Sequence, residues 1–556
     1  MQSRSRWDLF VVSIWVIVAC LAAATIYLGL HRLYQVDEMQ NAYMARVQAL
    51  GKQRELFTSA PLFIFPLAPL AHLFSRSADL ISCYRMIFVG VFWLNIVLLV
   101  KASGQKLSSR TGAWLLLGAA TLAPVWDYGF EVRHDNVIVC GVLLMWLWGK
   151  PHGAARKHAY TLLGAMAVTL QFAAFKSFLY WAPLTAAFLL LPHPAHTQAR
   201  WKLWGRWLLG AGVALVLLRG LYGVLDLWQD FASTLASSSQ IAHAVKPFDH
   251  TPTASRLMTQ TPLLLALQLV LALLALHGLF TRRLAYFSWS SSLPEVLLVA
   301  GATAIFFVNP TPYRYNLVPL AAIGFLGAAR LAPELQRLRA PRYAGVVAAC
   351  VFAYAHLLPF ERSTRRLFDF PNTRQQHVMD LAEAMTDPVK DRVYDASGLV
   401  LTRDSIGYHW FLHTLIMKNF SNGTFPTVRR MLAKNPASVF LPNYRTSWLP
   451  VPDRVFIAQH YQPLADDYWV LGGRLPAAGG SFACLHPGRY IVQHSAPGLT
   501  INGQPVSSDV VELAVGRARI ESPQSHGLRV YWLGPRLQQL PEVGRGDHAS
   551  IYNGEF

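Results

Sequence analysis

Leu9–Leu30 reads LFVVSIWVIVACLAAATIYLGL, and Tyr34–Tyr43, only a few residues later, reads YQVDEMQNAY. The first stretch is apolar for long enough to cross a bilayer and too long for the core of a signal peptide. No small-residue cleavage pattern follows in YLGLHRLYQ, so it reads as a retained first span. The second stretch sets two adjacent carboxylates, Asp37 and Glu38, where the chain has just left the membrane.

The rest of the chain carries the same signature. Only 14% of the 556 residues are charged, against roughly 25% in ordinary soluble domains, and the mean hydropathy is +0.30. Further apolar runs lie at 84–100, 112–128, 136–149, 159–175, 178–192, 207–225, 261–280, 293–308, 315–329 and 343–359, for about eleven spans on the ~20-residue criterion. The net charge of +19 belongs to a membrane protein whose inner loops collect Lys and Arg, and nucleic acid is not an expected partner. Every second connection is basic: Arg4 and Arg6, then Lys101, Lys106 and Arg110, then Lys150, Arg156 and Lys157, then Arg200, Lys202 and Arg206, then Arg282 and Arg283, and finally Arg330, Arg337, Arg339 and Arg342. This alternation predicts a cytoplasmic N-terminus and an external C-terminal part.

The expected fold class is therefore an α-helical polytopic membrane protein with a C-terminal extracytoplasmic α/β domain ending in a β-rich module. Residues 1–360 form the membrane domain, with outer loops at 31–83 and 226–260, and residues 361–556 form the soluble one. In the tail, RVYDASGLVL and PASVFLPN read as strands. Then come RYIVQHS, LTINGQPV with an Asn502-Gly503 hairpin signal, VVELAVGRARIE and LRVYWLG, together a β-sandwich-like module. Of the five cysteines, Cys20, Cys140 and Cys350 lie in apolar runs, and Cys83 and Cys484 are the pair that has the option of a disulfide. No Cys/His cluster has the spacing of a structural metal site.

Three short outer loops break the charge rule, because each holds a cation. GFEVRHDN has Arg133, flanked by Glu131, His134 and Asp135. FAAFKSFLYW has Lys176 in a very tight connection. NPTPYRYN has Arg314 between Tyr313 and Tyr315. Each has an ordinary reading: local neutralisation for Arg133, snorkelling for Lys176, an interfacial aromatic belt for Arg314. Charge at such depth is costly and defaults to function, and three cations on the same face as Asp37 and Glu38 strengthen that reading. Cations with tyrosine hydroxyls suit a phosphate group, and a nearby carboxylate pair suits removal of a proton from a hydroxyl. The segment DEMQNAYMARVQAL is predicted helical, with Asp37 as its N-cap and Glu38, Asn41 and Ala45 on one face. TSAPLFIFPLAPLAHLF, interrupted by Pro61, Pro66 and Pro69, reads as an interfacial helix and not a straight span.

This order of elements resembles the GT-C superfamily of membrane glycosyltransferases, most of all the protein O-mannosyltransferases and the lipid A aminoarabinose transferases. The resemblance covers roughly the first 330 residues. It rests on the Asp-Glu pair in VDEMQNAYMARVQALGK, on Arg133 and Asp135 in EVRHDN, and more weakly on Lys176 and on PYRY. It implies transfer of a sugar from a polyprenyl-phosphate carrier to a lipid, glycan or protein hydroxyl at the outer face of a bacterial inner membrane, with inversion. On that resemblance Asp37 orients or deprotonates the acceptor, and Glu38 supports it or holds a sugar hydroxyl. Arg133, Lys176 and Arg314 stabilise the departing phosphate, His134, Tyr313 and Tyr315 add hydrogen bonds, and Asp135 and Tyr43 are supporting residues. Asp37, Glu38 and Asp135 have the chemistry to hold a divalent cation, but no cofactor is expected to be required. The tail from 361 matches no familiar acceptor-binding domain, and the 226–260 loop reads equally as a lid or as a passive connector. The competing classes are a glycan ligase or oligosaccharyltransferase of similar architecture, a lipid or solute transporter, and an assembly factor. Transport fits poorly, because no internal repeat is visible and ionisable residues deep in the spans are few.

Overall fold

A computed structural model describes residues 9–51, 60–149, 158–190, 200–244, 314–337, 353–407, 411–412, 414–421, 423–477, 479–493, 498–523, 527–544 and 551–552, with Ser255, Thr259 and Leu298. The chain divides into two compact units. The first comprises Met1–Arg32, Phe57–Phe63 and Tyr84–Phe370; the second comprises Leu33–Leu56, Ile64–Cys83 and Pro371–Phe556.

The first unit is helical. Leu9–His31, Ser77–Ala102 and Trp201–Val224 are long and apolar enough to cross a membrane. Leu9–His31 leaves Leu9, Trp15, Val16, Ile17 and Ile26 exposed, and the third helix does the same with Leu208, Leu209, Val213, Val216 and Leu217. Faces of this kind are stable only against hydrocarbon. His134–Gly149 and Ala159–Ala173 are apolar but shorter. The run at 112–128 is not one helix: Arg110–Ala120, whose N-cap Ser109 accepts from the Gly112 amide, ends at Thr121, and Pro124 starts a separate helix, Ala123–Tyr128. A proline ring is tolerated at a helix start and not in its interior. The expected spans at 261–280 and 293–308 lie outside the described residues except for Leu298, and the run at 343–359 is described only from residue 353.

Aromatic side chains fill the centre of this unit. The indole of Trp126 meets Phe92, Phe130 and Phe360 edge-on, at 6.2, 6.3 and 5.0 Å between centroids. Such pairs add to simple area burial. The proline-rich stretch after residue 58 forms two short pieces, Pro61–Ile64 and the 3-10 helix Ala68–His72. It is interrupted where its prolines predict and is not a single helix.

Among the described residues, the second unit contains the helix Val36–Ala49 and eleven strands. These are β1 (Val393–Tyr394), β2 (Val439–Phe440), β3 (Tyr461–Ala465), β4 (Tyr468–Leu475), β5 (Gly479–Cys484), β6 (Gly488–Gln493), β7 (Thr500–Ile501), β8 (Gln504–Pro505), β9 (Val510–Leu513), β10 (Gly516–Glu521) and β11 (Leu528–Leu533). They form two sheets. One runs β1-β2-β4-β11-β6-β9 with β3 also on β4; the other runs β5-β10-β7-β8. Only β1 and β2 pair in parallel. Phe482 of the smaller sheet stacks edge-on to Tyr490 of the larger at 5.6 Å. The predicted strand VVELAVGRARIE is two strands, β9 and β10, which belong to different sheets. RVYDASGLVL is strand only at β1, because its Asp395-Ala396-Ser397-Gly398 stretch turns, with Ala396 and Gly398 at positive φ. Cys83 and Cys484 are free thiols and not a pair.

Candidate functional site

The sequence-predicted residues fall into two groups, one in each unit. In the first unit, the turn before His134–Gly149 is pinned by Asn136, whose side-chain amide donates to the Tyr128 and Glu131 carbonyls, both at 3.1 Å. This sets Arg133 ahead of the helix and Asp135 in its first turn, where a carboxylate is favoured by the helix dipole. Asp135 gathers the cations. Lys176 Nζ lies 2.5 Å from Asp135 Oδ1, Arg133 Nε lies 3.4 Å from Oδ2, and His134 Nε2 lies 4.0 Å from Oδ2.

Lys176 is delivered by the three-residue turn Phe175–Ser177 between Ala159–Ala173 and Phe178–Leu190, as tight as its sequence implied. Its ammonium also donates to Asn316 Oδ1 at 2.8 Å. Asn316 follows Tyr315 in the short turn Arg314–Asn316. The Tyr315 ring lies under the Arg133 guanidinium at 3.4 Å and 5.4 Å from Lys176 Nζ. Arg133, His134, Asp135, Lys176, Tyr315 and Asn316 therefore come together. Arg314 occupies the same turn. Tyr313 lies outside the described residues.

Exposure separates the two principal cations. The Lys176 side chain is 24% exposed and that of Arg133 is 5% exposed. Lys176 is thus the cation that an arriving anion can reach, with Arg133 behind it. Glu131 joins the cluster to Arg32: its Oε2 lies 4.0 Å from Arg133 Nη1, and it is buried against Arg32, whose guanidinium also donates to the Asp127 carbonyl at 2.7 Å. Arg32 was not singled out in the sequence, although a cation just beyond the first span breaks the charge rule as the other three do.

In the second unit, Val36–Ala49 carries the acidic pair. The helix begins two residues earlier than predicted, so the N-cap is Gln35 and not Asp37. Asp37 is then the second residue of the helix and not its cap. Glu38 takes a capping duty instead: its carboxylate accepts from the Gln35 amide at 2.7 Å, half of a capping box. Glu38 is 0% exposed, whereas the Asp37 side chain is 34% exposed, with Arg445 Nη2 4.0 Å from its Oδ1.

Polar anchors within the same unit fix this helix. The Tyr34 amide donates to Gln375 Oε1 at 2.6 Å, and the Gln375 amide returns a bond to the Tyr34 carbonyl at 3.0 Å. Arg46 donates to the Arg403 and Thr402 carbonyls, each at 2.9 Å. The Tyr43 hydroxyl accepts from the Ser405 amide at 3.0 Å, and burial pushes its phenol well above the ordinary range. Tyr43 is therefore a neutral strut. Among the described residues no three His, Cys, Asp or Glu side chains gather as a metal-holding set.

No family model and no curated protein matches the sequence. Solved structures do. The chain is similar to two crystal structures of ArnT from Cupriavidus metallidurans, one bound to undecaprenyl phosphate and one in the apo state. Each match has a TM-score of 0.52 at 15% identity and covers 82% of this chain and 97% of that one. The likeness is one of fold, which this chain shares with the two ArnT structures. A weaker likeness is to the apo oligosaccharyltransferase of Archaeoglobus fulgidus, with a TM-score of 0.46 at 12% identity, covering 94% of this chain and 77% of that one. Within this fold, the Asp135-centred cation cluster belongs to the helical unit, and Asp37 belongs to the unit that holds the sheets.

Proposed function

We propose that this chain is a membrane glycosyltransferase that moves a sugar from a polyprenyl-phosphate donor to a hydroxyl of a lipid, glycan or protein acceptor, with inversion, at the periplasmic face of a bacterial inner membrane. The observation that carries the reading is the asymmetry of the acidic pair on a GT-C fold: Glu38 is consumed in folding and Asp37 is left exposed. The solved relative bound to undecaprenyl phosphate supports the donor class.

The reaction on this reading is a single displacement. The acceptor oxygen attacks the anomeric carbon as its proton passes to Asp37. The anomeric C–O bond breaks, and the polyprenyl phosphate leaves with the electron pair. A phosphate leaves readily only when its growing charge is met by fixed cations. Lys176 is assigned to that charge, backed by Arg133, with Asn316 and Tyr315 orienting both. Three cations (Lys176, Arg133 and Arg32) against two carboxylates (Asp135 and Glu131) leave this cluster one positive charge in excess, with Arg314 in the turn that carries Tyr315 and Asn316. His134 lies within reach as a further hydrogen-bonding group. With that charge supplied by side chains, no divalent cation is assigned a role.

The test is turnover by the purified full chain in detergent, given synthetic undecaprenyl-phosphate sugars and envelope fractions as acceptors. Acceptor-dependent release of undecaprenyl phosphate, read by mass spectrometry, is the expected result. Movement of intact donor across a proteoliposome membrane with no carrier released would make the protein a transporter instead.

A further inference from the structure

Arg445 is held in an unusual setting. Its guanidinium carbon lies 4.7, 5.4 and 4.8 Å from the ring centroids of Phe411, Tyr444 and Trp448. Its Nε donates to the Tyr444 hydroxyl at 2.9 Å and its Nη1 to the Leu412 carbonyl at 2.5 Å. The backbone that presents it is equally fixed. Asn443 Oδ1 accepts from the Arg445 amide at 2.9 Å, and the Asn443 side chain donates to the Asp395 carbonyl at 2.5 Å. A guanidinium 12% exposed among three rings needs a counter-charge, and its carboxylate partner is Asp37, 4.0 Å from Nη2. Nε and Nη1 already tie Arg445 to its own loop, so Nη2 is not needed as a tether. It faces a carboxylate that is 34% exposed.

We propose that Arg445 is the positioning residue for Asp37: an aromatic cage holds its guanidinium so that Nη2 fixes the direction of the Asp37 carboxylate that receives the acceptor's proton. The inference rests on the reading of Asp37 as the acceptor-side base. It adds a residue from the C-terminal part of the chain, where the resemblance to known families offered none. A planar, permanently charged fork suits this task better than a flexible ammonium.

The experiment compares Arg445→Met, Arg445→Lys and Asp37→Asn in the full chain. Turnover in R445M is expected to fall by about 10²-fold, the typical cost of a misplaced reacting group. R445K is expected to recover part of the loss, and R445M combined with D37N to be no worse than D37N alone, as for residues acting as one unit. Binding of undecaprenyl phosphate stays at the wild-type level in all three. A second readout needs no turnover: labelling of Asp37 at pH 6 by a water-soluble carbodiimide and an amine, quantified by peptide mass spectrometry. Without the guanidinium beside it the carboxylate is more accessible to the cationic reagent, so labelling rises several-fold in R445M and returns toward wild type in R445K. Equal labelling in all forms, or losses in R445M and D37N that simply multiply, overturns the proposal. A wild type that releases no carrier from any donor would sink the functional reading instead, and the labelling would still decide whether Arg445 governs Asp37. If R445M does not fold, Tyr444→Phe removes only the phenol oxygen that holds Nε. It is expected to raise labelling by a smaller factor, and no change in that variant also counts against the proposal.

Discussion

Asp37 and Glu38 are neighbours in sequence with opposite fates, and the reason is local. The carboxylate three residues after an N-cap can reach back to the cap's amide; the carboxylate two residues after it points away. Two outcomes follow at this scale. Asp37→Asn is expected to lose ~10²–10⁴-fold in turnover in the folded protein, the usual contribution of a positioned base. Glu38→Ala is expected to cost about 1 kcal/mol of stability through the lost cap, read by thermal unfolding; full stability with lost turnover would move Glu38 into the chemistry. Lys176→Ala should weaken donor use more than acceptor use, because Lys176 is the reachable cation of its cluster. Arg133→Ala should act the same way and also lower thermal stability, since its guanidinium is buried over Tyr315. A loss of stability alone in both variants would return them to interfacial anchors. The cations of this cluster were legible in the sequence because charge beside a membrane span is rare and costly. Asn316 and Arg445 were not, since a polar amide and an arginine between aromatic residues are unremarkable until tertiary contacts show what they hold.

At the scale of elements, close approach decides what the chain tolerates. Ala159–Ala173 and Arg200–Val224 pack backbone to backbone. A Cβ on Gly210 would lie 1.8 Å from the Thr161 carbonyl oxygen, and one on Gly164 would lie 2.0 Å from that of Trp207. Small residues are how membrane helices reach such distances. Gly210→Val is therefore expected to destabilise by about 1–3 kcal/mol through overpacking, seen as a lower melting temperature in detergent. The same physics explains which strands the sequence concealed. β4 contains Gly472, where a Cβ would meet the Val530 carbonyl oxygen at 2.1 Å, and β3 contains Pro463 beside an irregularity in its pairing with β4. Glycine and proline lower any propensity-based reading, yet here one permits close strand contact and the other sits where the ladder is interrupted. The Asn502-Gly503 hairpin was legible because its chemistry is local: both residues have positive φ and join β7 to β8. The late strands β6 and β11 were legible by their aliphatic and aromatic composition. The position of the helix start at Gln35 was not, because a glutamine is a poor N-cap on propensity and Asp37 a good one.

For the whole molecule, low charge and long apolar runs were sufficient to read a membrane protein, and the order of motifs along the first 330 residues was sufficient to read a GT-C fold, which the likeness to ArnT bears out. Span number was less accessible, because an apolar run does not reveal where a helix breaks. The run at 112–128 looked like one span and is two helices separated at Thr121-Leu122. The central claim is that the chain binds a polyprenyl phosphate through Lys176 and Arg133. The most direct measurement is native mass spectrometry of the detergent-purified protein with added undecaprenyl phosphate, for the wild type and for the Lys176→Ala/Arg133→Ala double variant. The account predicts a bound carrier, or its sugar adduct, on the wild type and a marked loss of it on a folded double variant. A wild type that retains no carrier, or a folded variant that retains as much as the wild type, would contradict it.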